Sequence, residues 1–307
     1  MSALLARRPT REAPGPGPMP EAVLRALDIT VGRRVSSLLA GDFRSHGLGT
    51  GTEFAQVREY VPGDDVRRID WNVTARTLVP HVREYVAERV LTTWLVLDAS
   101  ASMQFGTADR RKYDVAEGVA LAAGHVATRH GNALGVYVFG GEAERVMRPA
   151  QGRAGLLALL LALRMQPPPE GAAASLGRAL GRVDRLAGRG RLVMVVSDFR
   201  GPRDWERPLL QLCGRHDVIA VEVRDPREQE LPDVGELWLV DPETGRRLRV
   251  DTGSRRLRER FAAAAAAERA QVAGAIARCG ARHIVLSTAG DWLRPLAMGL
   301  AEKGLVR

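Results

Sequence analysis

Asp98, Ser100 and Ser102 occupy alternate positions of Asp98-Ala99-Ser100-Ala101-Ser102, directly after the apolar run Trp94-Leu95-Val96-Leu97. Alternate residues of an extended backbone share a side, so one carboxylate and two hydroxyls can converge there while the intervening alanines leave room for a ligand. These are hard oxygen donors, which suit Mg²⁺ or Mn²⁺ far better than zinc or copper. The same residues also suit a strand that ends in an Asp/Ser turn, because both side chains bond their own backbone. A second apolar run, in Val195-Val196-Ser197-Asp198-Phe199, likewise ends in an acid. In open α/β sheets ligands sit beyond the carboxyl ends of strands, near the switch in strand order. Asp98 and Asp198 at two such ends therefore predict an oxygen-lined metal site; the plainer role for Asp198 is to cap the segment that follows it.

Positioning two strand-end acids requires a parallel sheet, and the pattern from Thr92 onward supplies one. Strand-like runs fall at Thr93 to Leu97, Ala133 to Phe139, Leu192 to Val196, Val218 to Val223 and His283 to Leu286. Helical spacing falls at Arg111 to His130, Ala154 to Arg164, Leu176 to Leu186, Glu206 to Arg215, Arg255 to Arg278 and Trp292 to Lys303. Strands alternating with helices predict a mainly parallel sheet covered on both faces, and several of the strands are the continuous apolar runs expected at its centre. In the helix from Arg111, Ala116, Val119, Ala120, Ala123 and Ala127 with Gly124 permit close packing on the sheet.

Upstream the pattern differs. Residues up to about Met19 mix Arg, Pro and Gly without periodicity and read as a flexible arm. Glu21 to Leu39 has helical spacing at Val23, Leu24, Leu27 and Ile29, and Gly41 to Gly51 is a glycine-rich connector. Its Gly47-Leu48-Gly49-Thr50-Gly51 follows no apolar strand and precedes no Lys-Ser/Thr, unlike a phosphate loop. Glu53 to Tyr60 and His81 to Val90 alternate like strands. Between them Pro62-Gly63 signals a turn, Asp70 is placed to cap a short helix running toward Arg76, and acids interleave with arginines as internal ion pairs would.

Composition narrows the function. The 307 residues allow one or two domains with a sizeable core. The longest aliphatic run, Leu156 to Leu163, falls well short of the ~20 residues that cross a bilayer. With no signal-peptide pattern at the N-terminus, the expected location is the cytoplasm. Cys213 and Cys279 are too few for a disulfide framework and are expected as buried free thiols. A net charge of +9 raises the question of nucleic acid. The arginines are scattered among acids, however, and no helix-turn-helix, zinc-finger or base-stacking pattern accompanies them, so specific nucleic-acid recognition is not expected. A Walker loop, a Gly-x-Ser-x-Gly elbow and a His-Glu-x-x-His motif are all missing from the sequence, and no enzymatic activity is expected.

Asp98-x-Ser100-x-Ser102 with the later Ser197-Asp198 resembles the metal-ion-dependent adhesion site of von Willebrand factor A-like domains, over roughly Leu91 to Lys303. Glu53-Phe54, Arg58-Glu59-Tyr60, Pro62-Gly63-Asp64, Arg67, Ile69-Asp70-Trp71 and Ala75-Arg76, with Asp225-Pro226 and Leu231-Pro232, resemble the signature of the bacterial family called domain of unknown function 58. The resemblance implies an α/β, von Willebrand factor A-like (Rossmann-like) domain over 91–307 and, between it and the arm over 1–19, a smaller family segment over 20–90 with an N-terminal helix and β-structure. It also implies a metal held by Asp98, Ser100, Ser102 and Asp198, an acidic side chain of a protein partner at that metal, and a MoxR-type AAA+ ATPase as partner in protein assembly or maturation. In one place the sequence departs from the pattern. The threonine that such sites add, in a Gly-Thr-Asp-Leu context, aligns with Ala174 of Gly171-Ala172-Ala173-Ala174-Ser175-Leu176, and Ser175 stands in only if the loop shifts. Two alternatives remain: a structural scaffold with a degenerate metal site, and a phosphatase-like hydrolase using Asp98, in which Ser100 replaces the second acid of aspartyl-phosphate enzymes.

Overall fold

A computed structural model of the chain describes residues 16–17, 53–86, 92–129, 132–141, 143–163, 175–241 and 245–301. The expected helix Glu21 to Leu39, the glycine-rich connector, most of the N-terminal arm and Ala174 lie outside the described residues. The chain divides into two compact units, one of residues 33–90 and one of residues 1–32 with 91–307.

In the smaller unit, β1 (Glu53–Glu59) and β2 (His81–Val86) pair antiparallel, and α1 (Trp71–Thr77) lies between them in sequence. Asp70 caps α1 as its sequence position predicts: its carboxylate accepts from the backbone N–H groups of Asn72 and Val73. It also takes the Arg83 guanidinium at 2.8 Å, which ties the helix start to β2. Arg58 grips Asp64 through two bonds of 2.8 and 2.7 Å, closing the turn after Pro62-Gly63. Two of the interleaved acids, Asp64 and Asp70, thus form internal ion pairs, with the strand arginines Arg58 and Arg83.

The larger unit is built on six strands in the order β10-β7-β6-β3-β4-β5. These are β3 (Thr92–Asp98), β4 (Ala133–Phe139), β5 (Arg145–Ala150), β6 (Leu192–Ser197), β7 (Asp217–Arg224) and β10 (Arg282–Ser287). All pairings are parallel except β4 with β5. Successive side chains of β3 feed opposite faces. Leu95 and Leu97 join a core with α2 (Lys112–Arg129), α3 (Gly152–Leu163) and α7 (Leu293–Ala301); Trp94 and Val96 join another with α4 (Leu176–Ala187), α5 (Glu206–Cys213) and α6 (Arg255–Cys279). Gly135 is part of this packing, since a Cβ there would lie 2.9 Å from the Trp94 ring on the neighbouring strand. The mainly parallel sheet with helices on both faces is the von Willebrand factor A-like, Rossmann-like class that the motifs imply.

Two elements depart from the sequence reading. β5 is an antiparallel edge strand that contains Pro149, a residue whose missing N–H an edge tolerates and which masks the strand pattern. Residues Glu236–Val240 (β8) and Arg247–Asp251 (β9) form a separate hairpin, and Trp238 on it is 63% exposed. Both cysteines are free, but Cys213 is only half-buried, because α5 presents it near the rim of its core rather than at the centre. On the far side of the sheet, the Trp292 indole donates to the Pro16 carbonyl at 2.7 Å and Arg110 reaches the same oxygen, so this point of the N-terminal segment is held.

Candidate functional site

The strand order reverses between β3 and β6: from β3 the chain winds outward to β4 and β5, and from β6 to β7 and β10. A crevice forms at the carboxyl ends on either side of such a reversal. Asp98 ends β3 and Ser197 ends β6, with Asp198 next in sequence, so topology alone delivers both acids to one place.

Each acid is fixed by its neighbours. Asp98 is buried; its Oδ1 accepts the Ser100 backbone N–H at 2.9 Å and its Oδ2 accepts the Ser197 hydroxyl at 2.6 Å. The Ser100 and Ser102 hydroxyls lie 3.1 Å apart, as alternate positions allow. Asp198 Oδ1 accepts the backbone N–H of Arg200 at 3.0 Å, the capping role considered for it. Ser102 also hydrogen-bonds the Asp198 carboxylate. Close approach of the loop after β4 depends on Gly140, whose φ is +79° and whose added Cβ would lie 2.8 Å from Ser100 N and 3.1 Å from Asp98 Oδ1. Phe199, just beyond Asp198, holds φ at +53°, a left-handed conformation rare for an aromatic residue. Its ring packs edge-on against Trp205 at 5.3 Å, and its N–H donates to the Ser197 hydroxyl at 3.1 Å.

The sequence reading missed Lys112, at the first position of α2. Its side chain is 0% exposed, and its ammonium lies 2.6 Å from Asp198 Oδ2 and 2.6 Å from Glu228 Oε1. Glu228 is delivered by the Asp225-Pro226 motif. Asp225 caps a short 3₁₀ turn, Pro226–Glu228, in a reciprocal box: its carboxylate accepts from the Arg227 backbone, while Glu228 accepts from the Asp225 N–H. The Asp225 carboxylate is itself anchored by Thr107 at 2.6 Å and Thr288 at 2.7 Å. One signal in the sequence pointed to the lysine. The chain has 43 arginines but keeps lysine at just two positions, Lys112 and Lys303.

The two acids are charged unequally. Burial, reinforced by the neighbouring charge of Asp198, pushes the Asp98 carboxyl up to about 6. Burial opposes ionisation of Asp198 as well, but the Lys112 ammonium outweighs it and holds that carboxyl below its ordinary range. At Lys112 the desolvation penalty is in turn outweighed by Asp198 and Glu228, which raise its pKa.

The structure thus brings together all four predicted residues, Asp98, Ser100, Ser102 and Asp198, and adds Ser197, Lys112 and Glu228. Ser175 does not join them. It caps α4, accepting from Arg178 N at 3.0 Å and donating to Asp204 at 2.5 Å. Among the described residues no group of three or more His, Cys, Asp and Glu side chains is placed to hold an ion. Any ion here therefore depends on the serine hydroxyls together with the two acids. That donor set, one carboxylate beside two adjacent hydroxyls with a second acid facing it, fits a hard divalent cation. A cleft of about 40 Å³, lined in part by Arg200, Glu228, Glu268 and Arg269, reaches Asp198 from the α6 side.

Comparison with known proteins places the chain among relatives. An uncharacterized protein of Mycobacterium tuberculosis is 42% identical over 285 residues, 92% of this chain and 89% of that one. Among solved structures, the conserved hypothetical protein BatB from Bacteroides thetaiotaomicron is 15% identical over 69% of this chain and 97% of its own, with a TM-score of 0.44. The SpRpn10 VWA domain is 11% identical over 71% of this chain and 100% of its own, with a TM-score of 0.40. No helix among the described residues is long and apolar enough to cross a membrane. Residues 56–271 match the family model described as "Protein of unknown function DUF58", a span that takes in the ion-paired hairpin, both strand-end acids and the Asp225-Pro226 turn, and the chain belongs to that family.

Proposed function

We propose that this protein is a non-enzymatic, cytoplasmic interaction module whose docking point is the switch-point cluster. In this reading Asp98, Ser100 and Ser102 hold a Mg²⁺ or Mn²⁺ ion, with Asp198 facing it directly or through water. The observation that carries the reading is the convergence of two buried strand-end acids with two hydroxyls 3.1 Å apart. When bound, the ion supplies an open coordination position that accepts a carboxylate from a partner protein. The chain's own residues orient that position: Ser197 and the Ser100 N–H aim the Asp98 carboxylate, and the Gly140 turn lets the loops close around it. As partner we propose a MoxR-type AAA+ ATPase, with this chain acting as adaptor in the assembly or maturation of other proteins and hydrolysing no nucleotide itself.

The test is thermal unfolding with Mg²⁺, Mn²⁺ or chelator, followed by co-purification with the ATPase under the same conditions. A ligand bound by the folded state alone raises Tm by mass action, so wild type should respond and Asp98→Ala should not. Equal responses in the two proteins would refute the site, and capture of the ATPase unaffected by chelator would refute docking through the ion. One observation favours a second reading, a scaffold with a degenerate site: Lys112 already neutralises Asp198. No metal response in wild type, with partner binding intact, would select it.

A further inference from the structure

Lysine is almost absent from this chain, yet one of its two copies lies in the site with no exposed side-chain surface. Arginine's planar fork is bulkier and directional, whereas an ammonium is a compact point charge that can sit between two acids much as a small cation does. Lys112 does this, at 2.6 Å from both Asp198 Oδ2 and Glu228 Oε1. Glu228 has an alternative partner in Arg200, 3.1 Å away on the cleft side, so the lysine's hold on it can be shared. Among the described residues no second basic side chain pairs with Asp198, and its Oδ1 is already committed to the Arg200 backbone.

Resting on the reading of the cluster as a cation site, we propose that Lys112 is a built-in competitor for that site. Its ammonium stands in for a second positive charge, holds Asp198 away from the ion and thereby sets a weak affinity for divalent cations in the free protein. Under this inference Asp98, Ser100 and Ser102 do the binding, and Asp198 contributes only as far as the lysine releases it. The cleft through Arg200 and Glu228 is then where a partner loosens that hold: a carboxylate of the partner seated there would draw the Lys112 ammonium away from Asp198, coupling partner and ion reciprocally.

The experiment is calorimetric titration of the full chain with MnCl₂. Lys112→Gln, which keeps a hydrogen-bond donor and removes the charge, should bind Mn²⁺ about tenfold or more tightly than wild type. Arg269→Gln removes an equal charge from the same cleft without touching Lys112, Asp198 or Glu228, and should change the affinity by no more than about twofold. Tighter binding by Lys112→Gln where wild type shows none would support the inference while refuting the occupied site proposed above. Lys112→Gln within about twofold of wild type, or matched by Arg269→Gln, overturns the inference and leaves the ion reading standing. Absence of binding in every variant overturns both. Should Lys112→Gln fail to fold by circular dichroism, Glu228→Gln decides: with one acid gone the lysine concentrates on Asp198, so binding must weaken, and unchanged or tighter binding refutes the competitor.

Discussion

In the hairpin unit Arg58 meets Asp64 at 2.7 Å with 30% and 21% of the two side chains exposed, and Arg83 meets Asp70 at 2.8 Å with Arg83 at 42%. At the switch point Lys112 meets Asp198 at 2.6 Å with 0% and 2% exposed. The distances are nearly the same; the surroundings are not. Exposed pairs gain little because water and salt screen both partners whether or not they meet. A buried pair is different: desolvation has already been incurred, so each charge depends on the other and removal of one leaves the rest stranded. Similar geometry therefore makes staples in one region and an interdependent cluster in the other. The shifts follow the partners: hydrogen bonds from Arg58 hold Asp64 down at about 2 and, against the penalty of burial, Lys112 holds Asp198 down, whereas burial drives Asp98 up to about 6.

The sharpest way to break this comparison is to remove Lys112. In chelator, Lys112→Met should lower unfolding free energy by about 3–5 kcal/mol, because Asp198 and Glu228 are left without their shared counter-charge. Combining it with Asp198→Asn should recover part of that loss, since one of the stranded charges is gone. Urea denaturation of the three proteins checks it. A loss below about 1 kcal/mol for the single variant would put the buried pair in the same class as the exposed ones.

Titration separates Asp98 from the hairpin acids by sign. The folded-state pKa of Asp98 is raised from 3.8 to about 6, so between those values the folded protein holds a proton that the unfolded chain releases. The contribution of Asp98 to stability therefore falls as pH rises from about 4 to about 6 and is constant above, a change on the order of 3 kcal/mol. Asp64 and Asp70 act in the opposite sense. Their pKa values are lowered, so their contributions are present above about 4 and fade as pH falls below it. Denaturation at pH 4.5 and pH 7 in chelator should show Asp98→Asn gaining on wild type at the higher pH, and a constant difference between the two proteins would refute the buried charge at Asp98.

The sheet was legible because its central strands are unbroken apolar runs and its helices carry 3.6-residue spacing, which burial on both faces requires. Asp98 and Asp198 were legible for the same reason, since an acid that ends such a run has nowhere to lie but the crevice. Lys112 was not. It opens a helix, where a lone cation reads as solvated surface, and its two partners lie 86 and 116 residues away. Glu228 was hidden inside an Asp225-Pro226 turn whose cap points it at the lysine through chain reversal rather than local pattern. β5 escaped because Pro149 interrupts its alternation and an edge strand has no need of a continuous apolar run. Local periodicity thus specified the frame, while the charge balance within the site arose from contacts between distant segments.

The smallest expected effect lies in the hairpin and bears on the other half of the comparison. Arg58 donates both terminal nitrogens of its guanidinium to Asp64, and the Val61 N–H donates to the same carboxylate. Removing the guanidinium leaves Asp64 solvated and still bonded to the turn, so no charge is stranded. Arg58→Ala should therefore lower Tm by only about 1–3 °C in dilute buffer. At about 0.5 M salt the difference should shrink further, because the lost attraction was already screened in wild type. Lys112→Met should show no such relief, since salt does not reach a side chain with no exposed surface. Differential scanning calorimetry of both variants at two ionic strengths makes the measurement. A salt-independent loss in Arg58→Ala as large as that in Lys112→Met would mean that burial does not set the difference between the two regions.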